Sequence, residues 1–207
     1  TAARLNKRGV HTMHLKTLLA GLSLRSATAD METEITHISY DSRTTAPGDV
    51  FVAMTGFATD GHAYIGKAVA AGAAAGVCER PPEDSSVPYV LVENSRRALA
   101  VMAANYYGHP ADSMTMVAVT GTNGKTTTTY LIKAMLEGAL KTRVGLIGTN
   151  RNLIGALELP AHRTTPEPYE LQALLRRMAD AGCTHVVMEA SSHALVLHRL
   201  DGILFRA

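Results

Sequence analysis

The sequence predicts an α/β protein built mostly of parallel sheet. Three observations carry this. Short β-branched apolar runs alternate with helical patterns over nearly the whole chain, the signature of crossover-connected strands. With 46% hydrophobic residues but only 5% aromatic ones, the composition suits closely packed helix and sheet layers better than an aromatic-rich sandwich. The run Val117-Ala118-Val119-Thr120-Gly121-Thr122-Asn123-Gly124-Lys125-Thr126-Thr127-Thr128 places a strand, a tight loop and a helix N-terminus in succession.

Taken in order, Leu15, Leu18, Leu19 and Leu22 fall at helical spacing, closed near Gly21. Glu34 to Ser39 alternates and predicts one strand, and Val50 to Ala53 a buried one after the turn at Pro47-Gly48-Asp49. A helix starting at Asp60 or Gly61 turns Ile65, Ala68, Val69 and Gly72 inward. Ala75–Cys78 and Tyr89–Val92 read as strands. Asn94 or Ser95 caps a helix with Leu99, Met102, Ala103 and Tyr106 inward, stopped by Gly108 and Pro110.

His109 to Ser113 is the expected domain boundary, separating residues 13–112 from 113–207, with 1–12 an extension before Met13. Beyond it come a strand (Met114–Val119), a helix (Thr126–Leu140) with Leu131, Ala134, Met135 and Gly138 along one face, and a strand (Val144–Gly148). A loop or hairpin through Leu159, a helix (Glu167–Ala181), a strand (His185–Glu189) and a polar turn at Ser191-Ser192-His193 follow. Ile203 to Phe205 reads as the start of another buried strand, so the sheet is short of strands and a fragment of a longer protein is expected.

Net charge is +2 over 207 residues, which gives no basis for nucleic-acid binding or attraction to an anionic membrane. No stretch is long and apolar enough to span a bilayer. The pairs Arg96-Arg97 and Arg176-Arg177 are expected on solvated helix faces. Two cysteines, Cys78 and Cys183, stand beside apolar stretches and read as buried free thiols in a reducing cytosol. Most of the nine histidines are expected at the surface or an interface, and Ser192-His193 is rejected as a nucleophile pair because the sequence places no acidic partner.

The chemistry concentrates at the glycine loop. Backbone N–H groups of a first helical turn lack intrahelical partners and sit at the positive end of the helix dipole. Gly121 and Gly124 let backbone curl around phosphate oxygens. Lys125 is placed for β- and γ-phosphates and Thr126 for Mg²⁺. The general pattern has a glycine where this chain has Val119. Glu189, at the C-terminal end of its strand, sits where a metal-organising carboxylate is expected. Thr165 reads as an N-cap with Pro166 at the first helical position.

Gly121 to Thr127, Arg163-Thr164-Thr165-Pro166, Glu189 to Leu195, and in the N-terminal half Asp41-Ser42-Arg43, Pro47 to Ala53, Gly56 and Asp60-Gly61-His62 together resemble the Mur ligase family. The resemblance runs from about Met13 to the last residue. It implies an N-terminal α/β nucleotide-sugar-binding domain followed by a mostly parallel-sheet ATPase domain, here incomplete. It also implies a cytoplasmic, monomeric bacterial enzyme of peptidoglycan synthesis. The implied substrates are ATP with Mg²⁺, UDP-MurNAc-L-Ala-D-Glu and a diamino acid, meso-diaminopimelate or L-lysine, joined through an acyl phosphate. By resemblance, Tyr40, Ser42, Phe57, Ala58 and Thr59 contact the UDP end. Arg163, Thr164, Thr165, Ser191 and Arg199 hold the muramoyl-dipeptide. Gly121, Thr122, Asn123, Gly124, Lys125, Thr126 and Thr127 bind ATP, with Lys125 and Glu189 catalytic and Thr126 and Glu189 on Mg²⁺. Leu197 stands where some members have a substrate-contacting Gln. The family's carbamylated lysine, its Asp-His-Leu segment and its amino-acid-binding domain are absent, so this stretch alone is not expected to catalyse the full reaction. The Asp41-Ser42-Arg43 domain disfavours the folylpolyglutamate synthetases, and the Arg163-to-Pro166 and Ser191-to-His193 motifs disfavour the ligase adding D-Ala-D-Ala. Two alternatives stay open: a phosphate-loop kinase or GTPase, although no Asn-Lys-x-Asp is present, and a non-catalytic nucleotide-sugar or ATP-binding module.

Overall fold

A computed structural model describes residues 4–5, 11–56 and 59–207, and the chain divides into two units at Gly108/His109.

In the first unit, β1 (Arg4–Leu5), β2 (His11–His14) and β4 (Glu34–Ile35) form a small antiparallel sheet. Of the residues expected to be an extension, 1–3 and 6–10 lie outside the described residues. α1 covers only Leu15–Leu18, and Gly21 at φ 82° turns the chain soon after it. The strand expected over Glu34–Ser39 is divided. β4 ends at Ile35, the Thr36 amide donates to Gly48 O, and β5 (His37–Ser39) enters the second sheet. One alternating run thus serves two sheets, a switch that side-chain periodicity cannot register.

The second sheet has the order β3-β8-β7-β6-β5, with β6 (Asp49–Val52), β7 (Ala75–Cys78) and β8 (Tyr89–Val92) parallel to β5. β3 (Leu24–Ala27) is an antiparallel edge strand that no sequence pattern marks. All four of its residues are exposed, so it has no buried face to betray it. β6 and β7 are buried at every position, as parallel strands covered on both faces should be. A 3₁₀ turn, Gly61–Tyr64, leads into α2 (Ile65–Ala70), whose Ile65 and Ala68 are buried. α3 (Ser95–Tyr107) is capped by Asn94, whose side chain accepts from the Arg97 amide, and ends at Gly108 with φ 69°.

In the second unit, β9 (Thr115–Val119), α4 (Lys125–Leu140), β10 (Arg143–Ile147), α5 (Pro168–Asp180) and β13 (Cys183–Glu189) make the parallel core. β11 (Arg151–Ile154) and β12 (Leu157–Pro160) add an antiparallel hairpin, giving the order β12-β11-β10-β13-β9. α6 (Ser192–Val196) follows β13. Phe205 bridges Met116 in parallel, and Arg206 N donates to Met116 O, so the last apolar segment lies beside β9 through a single bridge, and it is not the buried strand expected, since Leu204 is exposed. Leu171, Leu175 and Met178 of α5 are fully buried against Met116, Val186 and Met188 of the sheet. Both cysteines are buried, and burial pushes the Cys78 thiol up to about 11.

α4 corrects an expectation. Leu131 and Met135 are 59% and 71% exposed, while Thr129 and Lys133 are buried. Half-buried Ile132 and Leu136 accompany the buried pair, so the helix carries two apolar stripes, and the one through Leu131, Ala134, Met135 and Gly138 faces outward. The inward stripe tolerates its polar members because each is satisfied. Thr129 Oγ1 donates to Thr126 O at 2.8 Å, and Lys133 Nζ to Glu137 Oε1 at 2.6 Å.

Leu175→Ala should cost about 2–5 kcal/mol, the range for truncating a buried leucine. Leu131→Ala on the outer face of α4 should change stability by under about 0.5 kcal/mol. Urea unfolding of the two variants checks the inverted helix face.

Candidate functional site

The phosphate loop lies between β9 and α4. Gly121 has φ 140° and Gly124, the N-cap of α4, has φ 78°, both in the region that only glycine enters freely. Gly124 has no side chain to cap the helix, so the first-turn amides are left for a ligand. Thr122, Asn123 and Thr127 are exposed around the loop. Lys125 Nζ folds back onto Gly121 O at 2.7 Å, holding the ammonium at the loop's mouth.

β13 runs beside β9, with Glu189 in register with Val119. This pairing brings Glu189 to the loop, although 63 residues separate it from Thr126. Glu189 is 1% exposed. Its Oε1 accepts from Thr126 Oγ1 at 3.0 Å and from the Thr149 amide at 2.9 Å. Thr149 Oγ1 lies 3.0 Å from both Glu189 Oε2 and Thr164 Oγ1. A hydroxyl has one proton and a carboxylate can only accept, so Thr149 donates to Glu189 and Thr164 donates to Thr149. Among the described residues no Lys, Arg or His is paired with Glu189. The carboxylate is buried on hydroxyls and one amide, an arrangement with capacity for a cation.

Thr126 and Glu189 bring a hydroxyl and a carboxylate oxygen together at the head of the loop, the hard-oxygen donors that Mg²⁺ takes. Thr126 and Glu189 therefore fit the metal that the loop chemistry calls for. Gly148 keeps this corner open, since a Cβ there would stand 2.5 Å from Glu189 Oε1.

The Thr164–Thr165 segment is tied to the same strand end. Thr165 is 1% exposed; its Oγ1 donates to Glu189 O at 2.9 Å and accepts from the Ser191 amide at 3.1 Å. It is not the helix cap the sequence suggested. α5 begins at Pro168 with Glu167 as N-cap, because the Thr165 hydroxyl is spent on β13. Ser191 Oγ caps α6 by accepting from the Ala194 amide. Arg199, 7% exposed, turns inward: its Nε donates to Glu167 Oε2 at 3.0 Å and its Nη1 to Thr165 O at 3.1 Å. Arg163 is exposed, with Nε 3.9 Å from Glu167 Oε1. Thr149 and Glu167 belong to this arrangement and carried no sequence motif. Their one signal was position, just past a strand end and just before a helix.

In the first unit Tyr40, Ser42 and Thr59 line a cavity of about 510 Å³ together with Asp41, Arg43, Met54, Tyr64, Lys67 and Arg96. Phe57 and Ala58 lie outside the described residues. Arg96 corrects another expectation. It is half-buried rather than on a solvated face, and its Nη2 donates to Thr55 O at 2.8 Å. The segment beside the cavity is pinned at Asp60, which accepts from the His62 amide and from His62 Nδ1 at 2.7 Å and is bonded by Arg80. His62, an exception among the histidines, is buried, and its Nε2 accepts from the Glu79 amide at 3.0 Å. The ring proton therefore sits on Nδ1. The Arg80 guanidinium, with help from the His62 amide, holds the Asp60 carboxyl well below the usual range.

Two sequence profiles match the chain: the "Mur ligase family, catalytic domain" over residues 34–107 and the "Mur ligase middle domain" over residues 119–207. A relative named UDP-N-acetylmuramoyl-L-alanyl-D-glutamate–2,6-diaminopimelate ligase, from Chlorobium phaeobacteroides, is 51% identical over 84% of this chain and 34% of its own length. The protein of the same name from Clostridium botulinum is 46% identical over 94% of this chain and 41% of its own. The chain thus spans between a third and about two fifths of the curated relatives it matches. A solved structure under that name superposes with a TM-score of 0.72 at 26% identity, covering 92% of this chain and 38% of the other.

The hydrogen bonds from Arg43 hold the Asp41 carboxyl down to about 2. The pair's contribution to stability should be present above about pH 4, the ordinary carboxyl range, and be lost as pH falls through the depressed value. An NMR titration should find the Asp41 midpoint near about 2, and Arg43→Gln should move it upward.

Proposed function

We propose, from the premise that this chain belongs to the Mur ligase family, that it forms the nucleotide-sugar-binding and ATP-binding parts of an ATP-dependent amide-bond-forming ligase of peptidoglycan synthesis. The acceptor is UDP-MurNAc-L-Ala-D-Glu and the added group a diamino acid, diaminopimelate in the names of the relatives. Residues 13–112 take the UDP end and residues 113–207 take ATP, in a monomeric cytoplasmic enzyme whose remaining parts receive the amino acid.

The observation that carries this reading is the buried Glu189 carboxylate bonded to the Thr126 hydroxyl at 3.0 Å at the head of the phosphate loop. Gly121 to Thr127 bind the triphosphate through loop amides and the Lys125 ammonium. Thr126 and Glu189 would hold Mg²⁺, which supplies charge neutralisation between the phosphates when bound. The D-Glu carboxylate attacks the γ-phosphorus and ADP leaves, giving an acyl phosphate. The amine of the diamino acid then attacks the acyl carbon, and phosphate departs as the amide forms. In the first step two anions must meet, and Lys125 with the loop amides offsets that repulsion on the equatorial oxygens.

Thr164, Ser191 and Arg163 would meet the muramoyl-dipeptide. Thr165 and Arg199 are committed to internal hydrogen bonds. They would act by fixing the segment that presents Thr164, with any substrate contact made by their remaining donors and acceptors.

Calorimetry should find that the chain binds both ATP and UDP-MurNAc-L-Ala-D-Glu. ATP binding without the nucleotide sugar would favour a kinase. In the intact enzyme, Lys125→Ala should lower kcat by about 10²–10³-fold with the thermal midpoint unchanged, and near-normal turnover would remove Lys125 from the mechanism.

A further inference from the structure

We propose that Lys67 of α2 and Arg96 of α3 form the cationic clamp for the diphosphate of the nucleotide sugar, an inference that rests on the ligase reading above. The family motif marks Tyr40, Ser42 and Thr59 in this cavity, and all three are neutral. A diphosphate esterified at both ends carries one negative charge per phosphate. Neutral hydroxyls alone leave that dianion without counter-charge as it leaves water.

The charged groups in the cavity lining are Asp41, Arg43, Lys67 and Arg96. Three cations and one carboxylate leave a surplus of two positive charges, which matches the dianion. Arg43 is already committed. Its Nε lies 2.9 and 3.1 Å from the two Asp41 carboxylate oxygens and its Nη2 2.6 Å from Oδ2. The surplus therefore falls on Lys67 and Arg96.

Lys67 is exposed and makes no hydrogen bond or ion pair among the described residues; its charge acts on Asp41 through space. Arg96 has no carboxylate partner among the described residues. It donates Nη2 to Thr55 O at 2.8 Å, with Nη1 against Met54 Sδ at 4.0 Å. One bond to a neutral carbonyl fixes the plane of the guanidinium while its full charge is kept, which lowers the ordering cost of binding an anion. The cavity volume of about 510 Å³ is within the roughly 300–1,000 Å³ typical of small-molecule sites. Phe51, Met54 and Tyr64 give it an apolar wall suited to a base, opposite in character to its two free charges.

The test is calorimetry of the chain with UDP-MurNAc-L-Ala-D-Glu, alongside uridine followed by amide chemical shifts. Lys67→Gln and Arg96→Gln should each weaken the nucleotide sugar by roughly tenfold to a hundredfold, the range for a lost charge-assisted hydrogen bond, and flatten its salt dependence. Uridine binding should hold. Arg96→Lys should recover part of the loss, and Arg97→Gln, on the exposed side of the same helix, should have no effect. If the unaltered chain does not bind the nucleotide sugar, the ligase reading and this inference fall together. If it binds and both Gln variants bind within about twofold of it, the clamp alone is overturned. Equal losses for uridine and nucleotide sugar would also overturn it, by marking a structural role.

Discussion

The second unit is organised around a buried carboxylate, Glu189, that is paired with no basic side chain among the described residues. Glu189 is withdrawn from water, and among the described residues its oxygens are satisfied by the Thr126 and Thr149 hydroxyls and the Thr149 amide. Burying such a group is costly unless every lone pair has a use, so the surrounding segments have little freedom. α4 must start where Thr126 can reach, the turn after β10 must present Thr149, and residue 148 must lack a Cβ. Through Thr149 to Thr164, and through the Glu189 carbonyl to Thr165, the same strand end also sets the segment before α5. A ligand that brings positive charge gains most at this point, where the hydroxyls and the amide already hold the carboxylate in place.

The first unit handles charge differently. Its polar groups pin a segment beside a cavity instead of filling a single centre. Asp60 gathers Arg80 and His62, and His62 passes the constraint to the Glu79 amide. The Glu79 carboxylate in turn accepts from the Ser95 amide and hydroxyl at the start of α3. Because Arg96 is the next residue, the same chain of bonds that fixes the segment also fixes the cation facing it. The second unit offers a buried anion, and the first a cavity lined by two cations, Lys67 and Arg96, that have no carboxylate partner among the described residues.

Much of this was legible in the residues. The glycines, Lys125 and Thr126 lie within one short run, so local sequence fixes both the loop conformation and the groups it exposes. β6, β7 and β10 were readable because continuous apolar runs leave no other buried use. The outward face of α4, the all-exposed β3 and the split of Glu34–Ser39 were not. In each case the competing patterns are nearly equal locally, and partners distant in sequence choose between them. Thr165 is the sharpest example. Its sequence neighbours describe a helix cap completely, yet the hydroxyl is taken by a strand 24 residues away.

By itself, then, the chain's order of residues determined the α/β alternation, the phosphate loop and the family motifs, since these depend on groups within a turn or two of one another. Tertiary structure alone decided that Thr149 meets Glu189, that Arg199 looks inward to Glu167, and that Lys67 and Arg96 share a cavity. The physical reason is strand order. Parallel pairing of β13 with β9, and the return of α2 and α3 over their sheet, set distances between residues that no local propensity encodes.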